Sequence, residues 1–139
     1  MPERFSIPVR VYYEDTDAAG VVYYANYLKY LERARTEWLA AAGHPLAELE
    51  RAHGIVFVVR RIEVDFRQPA RLGDALDVGV TIAAAGRASL AVTQQVLRGT
   101  ETIVAARVML ACVDRRTFRP VRIPIDLAAM SAARAGSPP

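Results

Sequence analysis

Glu14, Asp15 and Asp17 fall within four residues, Gly20 follows, and an amphipathic stretch carrying Tyr23, Tyr24 and Tyr27 begins directly after it. A helix start has unpaired backbone N–H groups and the positive end of the helix dipole, so an acyl oxygen gaining negative charge there is stabilised. A carboxylate beside it can attack a carbonyl or take a proton from a nucleophile. The same acids can instead act only as helix caps, and spacing alone does not separate the two roles. Nor does it choose between Asp15 and Asp17: an extended chain puts both on one side, whereas a turn parts them. Gly20 permits a close backbone approach or a positive φ. Tyr23, Tyr24 and Tyr27 offer aromatic walls and hydroxyls to a pocket, and Tyr23 and Tyr27 fit equally well into a packed stripe.

Periodicity shows the elements that must hold this junction. Residues 5–13 alternate, with Ile7, Val9 and Val11 on one face, which predicts a strand. From Val22 the spacing becomes three and four. Tyr23, Tyr27, Leu31, Ala34, Trp38 and Ala41 form the stripe of a helix of five or six turns, entered through residues 21–24 and stopped near Gly43 and Pro45. A short helical segment is expected over residues 46–51. Residues 55–59 are continuously apolar, then Ile62, Val64 and Phe66 alternate with charged residues. That pattern predicts one long strand, covered on both faces at first, half exposed later and ended by Pro69. Residues 76–82, 89–97 and 102–113 read as three more strands, the last two a hairpin through Arg98-Gly99-Thr100-Glu101. The expected class is α+β: a five-stranded antiparallel sheet wrapped around one long central helix, the only apolar element large enough to cover it. Open sheet edges make a homodimer the expected assembly, with a homotetramer as its extension. Residues 1–130 read as one domain and 131–139 as a flexible tail.

Composition narrows the function classes. The chain has 139 residues, 53% hydrophobic and 24% charged, which suits an ordered domain and not a disordered one. No apolar run is long enough to span a membrane and no secretory leader opens the sequence, so a cytoplasmic location is expected, with peripheral membrane contact left open. Cys112 is the sole cysteine and sits in an apolar run, which predicts a buried thiol and no internal disulfide. His44, His53 and Cys112 lack the spacing of a metal centre, and neither a phosphate loop nor a serine nucleophile elbow is present. Residues 71–139 hold nine Lys/Arg against five Asp/Glu, a weakly basic half suited to a phosphate-bearing substrate or simply to solubility. Arg60 and Arg61 end the apolar run and can meet phosphates or line a solvated strand edge. Arg115, Arg116, Arg119 and Arg122 form a looser basic group, too little to predict nucleic-acid binding.

The segment Tyr13-Glu14-Asp15-Thr16-Asp17-Ala18-Ala19-Gly20-Val21-Val22-Tyr23, continued by Asn26-Tyr27 and Glu32-Arg33-Ala34-Arg35, resembles the hotdog-fold acyl-CoA thioesterases of the YbgC and 4-hydroxybenzoyl-CoA thioesterase group. The likeness extends through Phe57-Val58-Val59-Arg60, Pro69-Ala70-Arg71-Leu72-Gly73-Asp74 and Cys112-Val113-Asp114, covering nearly the whole domain. The resemblance implies hydrolysis of an acyl-CoA thioester, with Asp17 as the catalytic carboxylate and the Tyr24 main-chain amide as oxyanion donor. It further implies paired protomers with active sites at their interface. Gly20, Tyr23, Tyr27, Val59, Arg60 and Arg61 are the expected substrate-binding residues, with both arginines on coenzyme A phosphates. No cofactor or metal is expected, because coenzyme A belongs to the substrate; an acyl carrier protein is the alternative carrier. Several relatives, above all in the YbgC branch, carry histidine where this chain has Tyr24. A tyrosine, with an ordinary pKa of about 10, does not replace imidazole as a proton acceptor near neutrality. Two other readings of the same pocket are a non-catalytic acyl-CoA binding or regulatory protein and a hotdog-type hydratase or dehydratase.

Overall fold

A computed structural model describes residues 4–133. The chain runs through β1 (Phe5–Arg10), a 3-10 turn (Tyr13–Asp15), α1 (Tyr24–Ala41), α2 (Leu46–His53), β2 (Ile55–Phe66), β3 (Ala75–Ala85), β4 (Ser89–Arg98), β5 (Glu101–Asp114) and α3 (Leu127–Ala133). The five strands form one antiparallel sheet in the order β1-β3-β4-β5-β2, curled around α1 in the hotdog arrangement.

Alternation decides which face of each strand meets the helix. Val9 on β1, Leu76, Val78 and Val80 on β3, Leu90, Val92 and Val96 on β4, and Val104, Val108 and Cys112 on β5 are buried in one cluster with α1. The helix contributes Tyr27, Tyr30, Leu31, Ala34, Trp38 and Leu39. Burial of each large side chain supplies roughly 1.5 to 3 kcal/mol, so this interface holds the fold together. Tyr30 and Leu39 widen the buried stripe, while Tyr23 precedes the helix as its cap and Ala41, the last helical residue, is exposed, so neither joins the stripe as the sequence pattern assigned them. Its end is a Schellman stop: the Gly43 N–H donates to Ala40 O and the His44 N–H to Leu39 O, with Gly43 at φ +93.

β2 keeps an apolar inner face along its whole length only because it carries a bulge. Its register against β5 shifts between Val59 and Arg61, leaving Arg60 as the extra residue, so that Phe57 and Val59 before it and Ile62 and Val64 after it serve the same side. The two sheet edges differ. β1 is six residues long and contains Pro8, which cannot donate to a further strand, whereas β2 offers a twelve-residue edge.

Three sequence expectations change. β1 stops at Arg10, since the Val11 N–H turns aside to Asp74 O (2.9 Å). A third helix closes the described chain, capped by Asp126 through the Ala129 N–H, and it buries Met130 in the core. Residues 131–133, expected as tail, therefore belong to α3, and 134–139 lie outside the described residues.

One polar side chain crosses the core. Gln94 on β4 is buried, donates to Leu31 O on α1 (3.0 Å) and accepts from the Arg35 guanidinium (2.9 Å). Burial pulls the Arg35 pKa down, partly countered by Glu32, so the Gln94 oxygen is the acceptor that keeps a half-buried cation satisfied. Replacing Gln94 with leucine, similar in size but unable to accept, is expected to cost about 2 kcal/mol and to lower Tm by several degrees. An unchanged Tm in a thermal melt would show that Arg35 finds water instead.

Candidate active site

The acidic cluster is built by a small hairpin and not by the first turn of a helix. After the 3-10 turn, Thr16 pairs with Val22, the Asp17 N–H donates to Val21 O (2.9 Å) and the Gly20 N–H donates to Asp17 O (3.0 Å). Gly20 takes φ +80, the left-handed residue that lets a tight turn rejoin its strand. Asp17 stands at the start of this turn, and one of its carboxylate oxygens accepts the Ala19 N–H (2.8 Å). Its other oxygen has no hydrogen-bond donor among the described residues, and the side chain is exposed.

The turn separates the two aspartates. Asp15 is half-buried and its carboxylate accepts the Tyr12 N–H (2.8 Å), closing the 3-10 turn. The Tyr30 hydroxyl, buried and without a hydrogen bond of good geometry, lies against it; burial first and the Asp15 carboxylate second push its pKa well up, so this phenol stays protonated. Asp15 thus supports the junction while Asp17 faces outward.

α1 starts at Tyr24, later than the expected entry through residues 21–24. Val21 and Val22 fit the helical period, but Val21 is bridged to Arg71 and the Val22 N–H donates to Ala70 O (2.8 Å), committing both to extended backbone. Tyr23 is the cap, with its N–H on Asp15 O (3.0 Å). The Tyr24 N–H is therefore the first of the helix, with no acceptor among the described residues, and the first turn holds no acidic side chain to offset the dipole.

An aromatic shelf adjoins these groups. Tyr23 and Tyr24 lie 4.9 Å apart between ring centroids, and Tyr24 meets Phe66 of β2 edge-on at 6.1 Å. All three are about half exposed or more. The neighbouring Tyr24 hydroxyl raises the Tyr23 pKa, which rules Tyr23 out as a base near neutrality. Of its two expected places, Tyr27 takes the packed one in this protomer. It is buried, its hydroxyl accepts the Ala70 N–H (3.0 Å) and its ring packs on Tyr30 and Phe66, so it fixes the loop after β2 against the helix.

The remaining expected residues lie elsewhere on the same protomer. Val59 helps line a slot of about 90 Å³ between β2 and α1, with Glu32, Arg35, Trp38 and Phe57. Arg60 and Arg61 border a groove of about 600 Å³ with Gly86, Ser89, Ala91 and Met109, and Arg61 also pairs with Glu63 (3.1 Å). Arg60 and Phe66 are six residue steps apart along the strand, roughly 20 Å, so one protomer holds these arginines away from the Tyr24 shelf that Phe66 touches. Arg115 pairs with Glu50 (2.9 Å) beyond the Ile55 end of β2, farther still. His44 precedes α2 and His53 ends it, and among the described residues no group of acidic, histidine and cysteine side chains is placed to hold a metal. No described helix is long and apolar enough to cross a membrane.

The family model of the thioesterase-like superfamily matches residues 11–130, spanning the hairpin, the helix start and every strand after the first. An acyl-CoA thioesterase YbgC of Haemophilus influenzae is 41% identical over 125 residues, covering 90% of this chain and 92% of that one. The YbgC of Helicobacter pylori is 38% identical, covering 83% and 90%. The chain belongs to the YbgC group of the thioesterase-like superfamily. Among solved structures, a probable thioesterase of Bartonella henselae superposes on this YbgC-group chain with a TM-score of 0.83 at 33% identity, covering 88% of this chain and all of that one.

In this YbgC-group protein the loop under the hairpin is held by Asp74. Its carboxylate accepts the Arg71 N–H (2.8 Å) and pairs with Arg98 (2.7 Å). Burial alone would raise the Asp74 carboxyl, but the Arg71 N–H and the Arg98 guanidinium outweigh it and hold it below the ordinary carboxylate value. A depressed folded-state pKa contributes stability that is complete above the unfolded value of about 4 and is lost as pH falls through the folded value. Asp74→Asn is expected to melt below the parent at pH 7, with the two curves converging under acid. Curves that stay parallel down to about pH 2 would remove the charge of Asp74 from this role.

Proposed function

We propose that this protein is an acyl-CoA thioester hydrolase in which Asp17 acts at the thioester carbon and the Tyr24 N–H receives the carbonyl oxygen. One observation carries the assignment: an exposed carboxylate with a free oxygen stands on a turn whose supporting strand is hydrogen-bonded to the residue before an unpaired helix-first N–H. The names of the YbgC relatives supply the substrate class.

Attack by Asp17 on the carbonyl gives a mixed anhydride and expels the thiolate of coenzyme A; water then cleaves the anhydride. Alternatively Asp17 takes a proton from water as it adds to the same carbon. In both routes the tetrahedral oxygen is negative, and the Tyr24 N–H with the unopposed helix dipole stabilises it by on the order of 3 kcal/mol. The bond from Ala19 N–H to one oxygen of Asp17 orients the other, which serves either route. The hydratase reading is disfavoured because neither histidine lies near Asp17 to supply a second acid or base.

A homodimer joined along β2 completes this site. Antiparallel pairing of two β2 edges sets the partner's Ile55 end beside this protomer's Phe66 end and the Tyr24 shelf, and brings the two copies of Arg60 and Arg61 together at the centre of the seam. Apolar Val59 and Phe66, both nearly half exposed, are then covered. Coenzyme A phosphates meet the arginines while the acyl group lies near the helix start.

Thiol release should be followed over a series of aliphatic and aromatic acyl-CoA esters. Asp17→Asn is expected to fold and to lose at least about 100-fold in turnover. Saturable ester binding with no thiol released would favour a binding protein, and a product heavier by one water with coenzyme A still attached would favour a hydratase. A second prediction concerns the arginines. Joint Arg60→Ala and Arg61→Ala substitution should raise KM for acyl-CoA about tenfold, as for lost charge-assisted phosphate contacts, and leave KM for the matching N-acetylcysteamine thioester unchanged. Equal effects on both esters would place the arginines away from the phosphates.

A further inference from the structure

The Asp17 hairpin is held to the β2–β3 loop and to the start of α1 by few bonds. Two are main-chain: Val22 N–H to Ala70 O (2.8 Å) and Tyr23 N–H to Asp15 O (3.0 Å). The third is a side-chain bond, from Asn26 Nδ2 to the same Asp15 O (2.9 Å), in partly buried surroundings. Asp15 O thereby receives two donors, one for each of its lone pairs. The bond spans eleven residues and joins the two halves of the junction: Asp15 ends the 3-10 turn two residues before Asp17, and Asn26 lies two residues after Tyr24 in the first helical turn. No other side chain among the described residues ties residues 15–17 to the first turn of α1.

We propose that Asn26 is a positioning residue for the hydrolase reaction, setting the distance between the Asp17 carboxylate and the Tyr24 N–H. This rests on the hydrolase reading. The acceptor is a carbonyl, so the contact requires a donor, and of the two ends of the Asn26 amide only Nδ2 provides one. Asn26 does not touch the reacting atoms. It acts through Asp15, whose backbone it fixes, while the exposed Asp17 makes its one recorded side-chain bond within its own turn. A pair of groups that must straddle one carbonyl tolerates little error: displacement by about 1 Å costs on the order of 100-fold in rate.

The test compares Asn26→Ala, Asn26→Gln and the parent in the full-length protein by steady-state thiol release, thermal melting and amide hydrogen exchange. Asn26→Ala is expected to lower kcat by about 10- to 100-fold, keep KM within about threefold and melt near the parent, because the two main-chain bonds persist. Exchange at the Asp17 and Gly20 amides should quicken at least about fivefold while β4 amides stay unchanged, the sign of a local loosening. Asn26→Gln, which keeps an amide donor, should recover most of the lost kcat. Unchanged kcat in folded Asn26→Ala, a fall in Tm and a rise in KM that accompany the loss of kcat, or a Gln variant as poor as Ala would each overturn the proposal. A parent that releases no thiol would instead defeat the hydrolase reading, and hairpin exchange unchanged by Asn26→Ala would then still refute the tether.

Discussion

The pairing of Thr16 with Val22 is the constraint from which the site follows. It forces Val21 and Val22 into extended backbone, where their groups bond to Asp17 and Ala70, and so it postpones the helix to Tyr24. Had the helix begun at Val21, the Tyr24 and Ala25 amides would sit deeper in the ladder, closer to intrahelical acceptors. The delay leaves the Tyr24 N–H first in line and unpaired. The same pairing presents Asp17 at the corner of a tight turn, and Gly20 at φ +80 allows the chain to return within four residues. One backbone event thus exposes both a carboxylate and an unpaired helix-first N–H.

That small hairpin is useful only because its surroundings are rigid. The β2–β3 loop beneath it is held from three sides: Tyr27 on the Ala70 N–H, Val22 on the Ala70 carbonyl, and Asp74 with Arg98 bracing the turn. α1 itself is fixed by a continuous apolar face and by the Gln94 bridge to Leu31 and Arg35. The buried tyrosines therefore belong to the support, while Tyr23 and Tyr24 remain on the surface at the start of α1. Burial sorts four neighbouring phenols, Tyr23, Tyr24, Tyr27 and Tyr30, into two roles that composition alone treats alike.

Much of this was readable in the chain. The alternation of Leu76, Val78 and Val80, the three-and-four spacing of Tyr27, Leu31, Ala34 and Trp38, and the stop at Gly43 are local signals, and local signals survive into the fold. The acidic cluster of Glu14, Asp15 and Asp17 before Gly20 stood out for the same reason, whereas the choice of Asp17 over Asp15 came from the family resemblance alone. What escaped depends on partners distant in sequence. Val22 looks helical until Ala70, 48 residues on, claims its N–H. Tyr27 fits the helical stripe, but nothing in that spacing tells that its hydroxyl accepts the N–H of that same residue. The bulge at Arg60 arises from register against β5 and leaves no mark in the apolar run before it. Asn26 carries no periodic signal, since its contribution is a single bond to a backbone carbonyl. Asp15 and Asp17 alternate as strand neighbours would, yet the 3-10 turn gives them different surroundings.

The central claim is that a carboxylate and a helix-first amide converge on one acyl carbonyl. It is tested most directly by a crystal structure with a ketone analogue of an acyl-CoA, in which a methylene replaces the sulfur and the carbonyl remains. The carbonyl oxygen is expected about 3 Å from the Tyr24 nitrogen, and an Asp17 oxygen, or a water held by it, within about 3.5 Å of the carbonyl carbon. A bound analogue whose carbonyl lies away from both groups, with Asp17 still turned to bulk solvent, would contradict it.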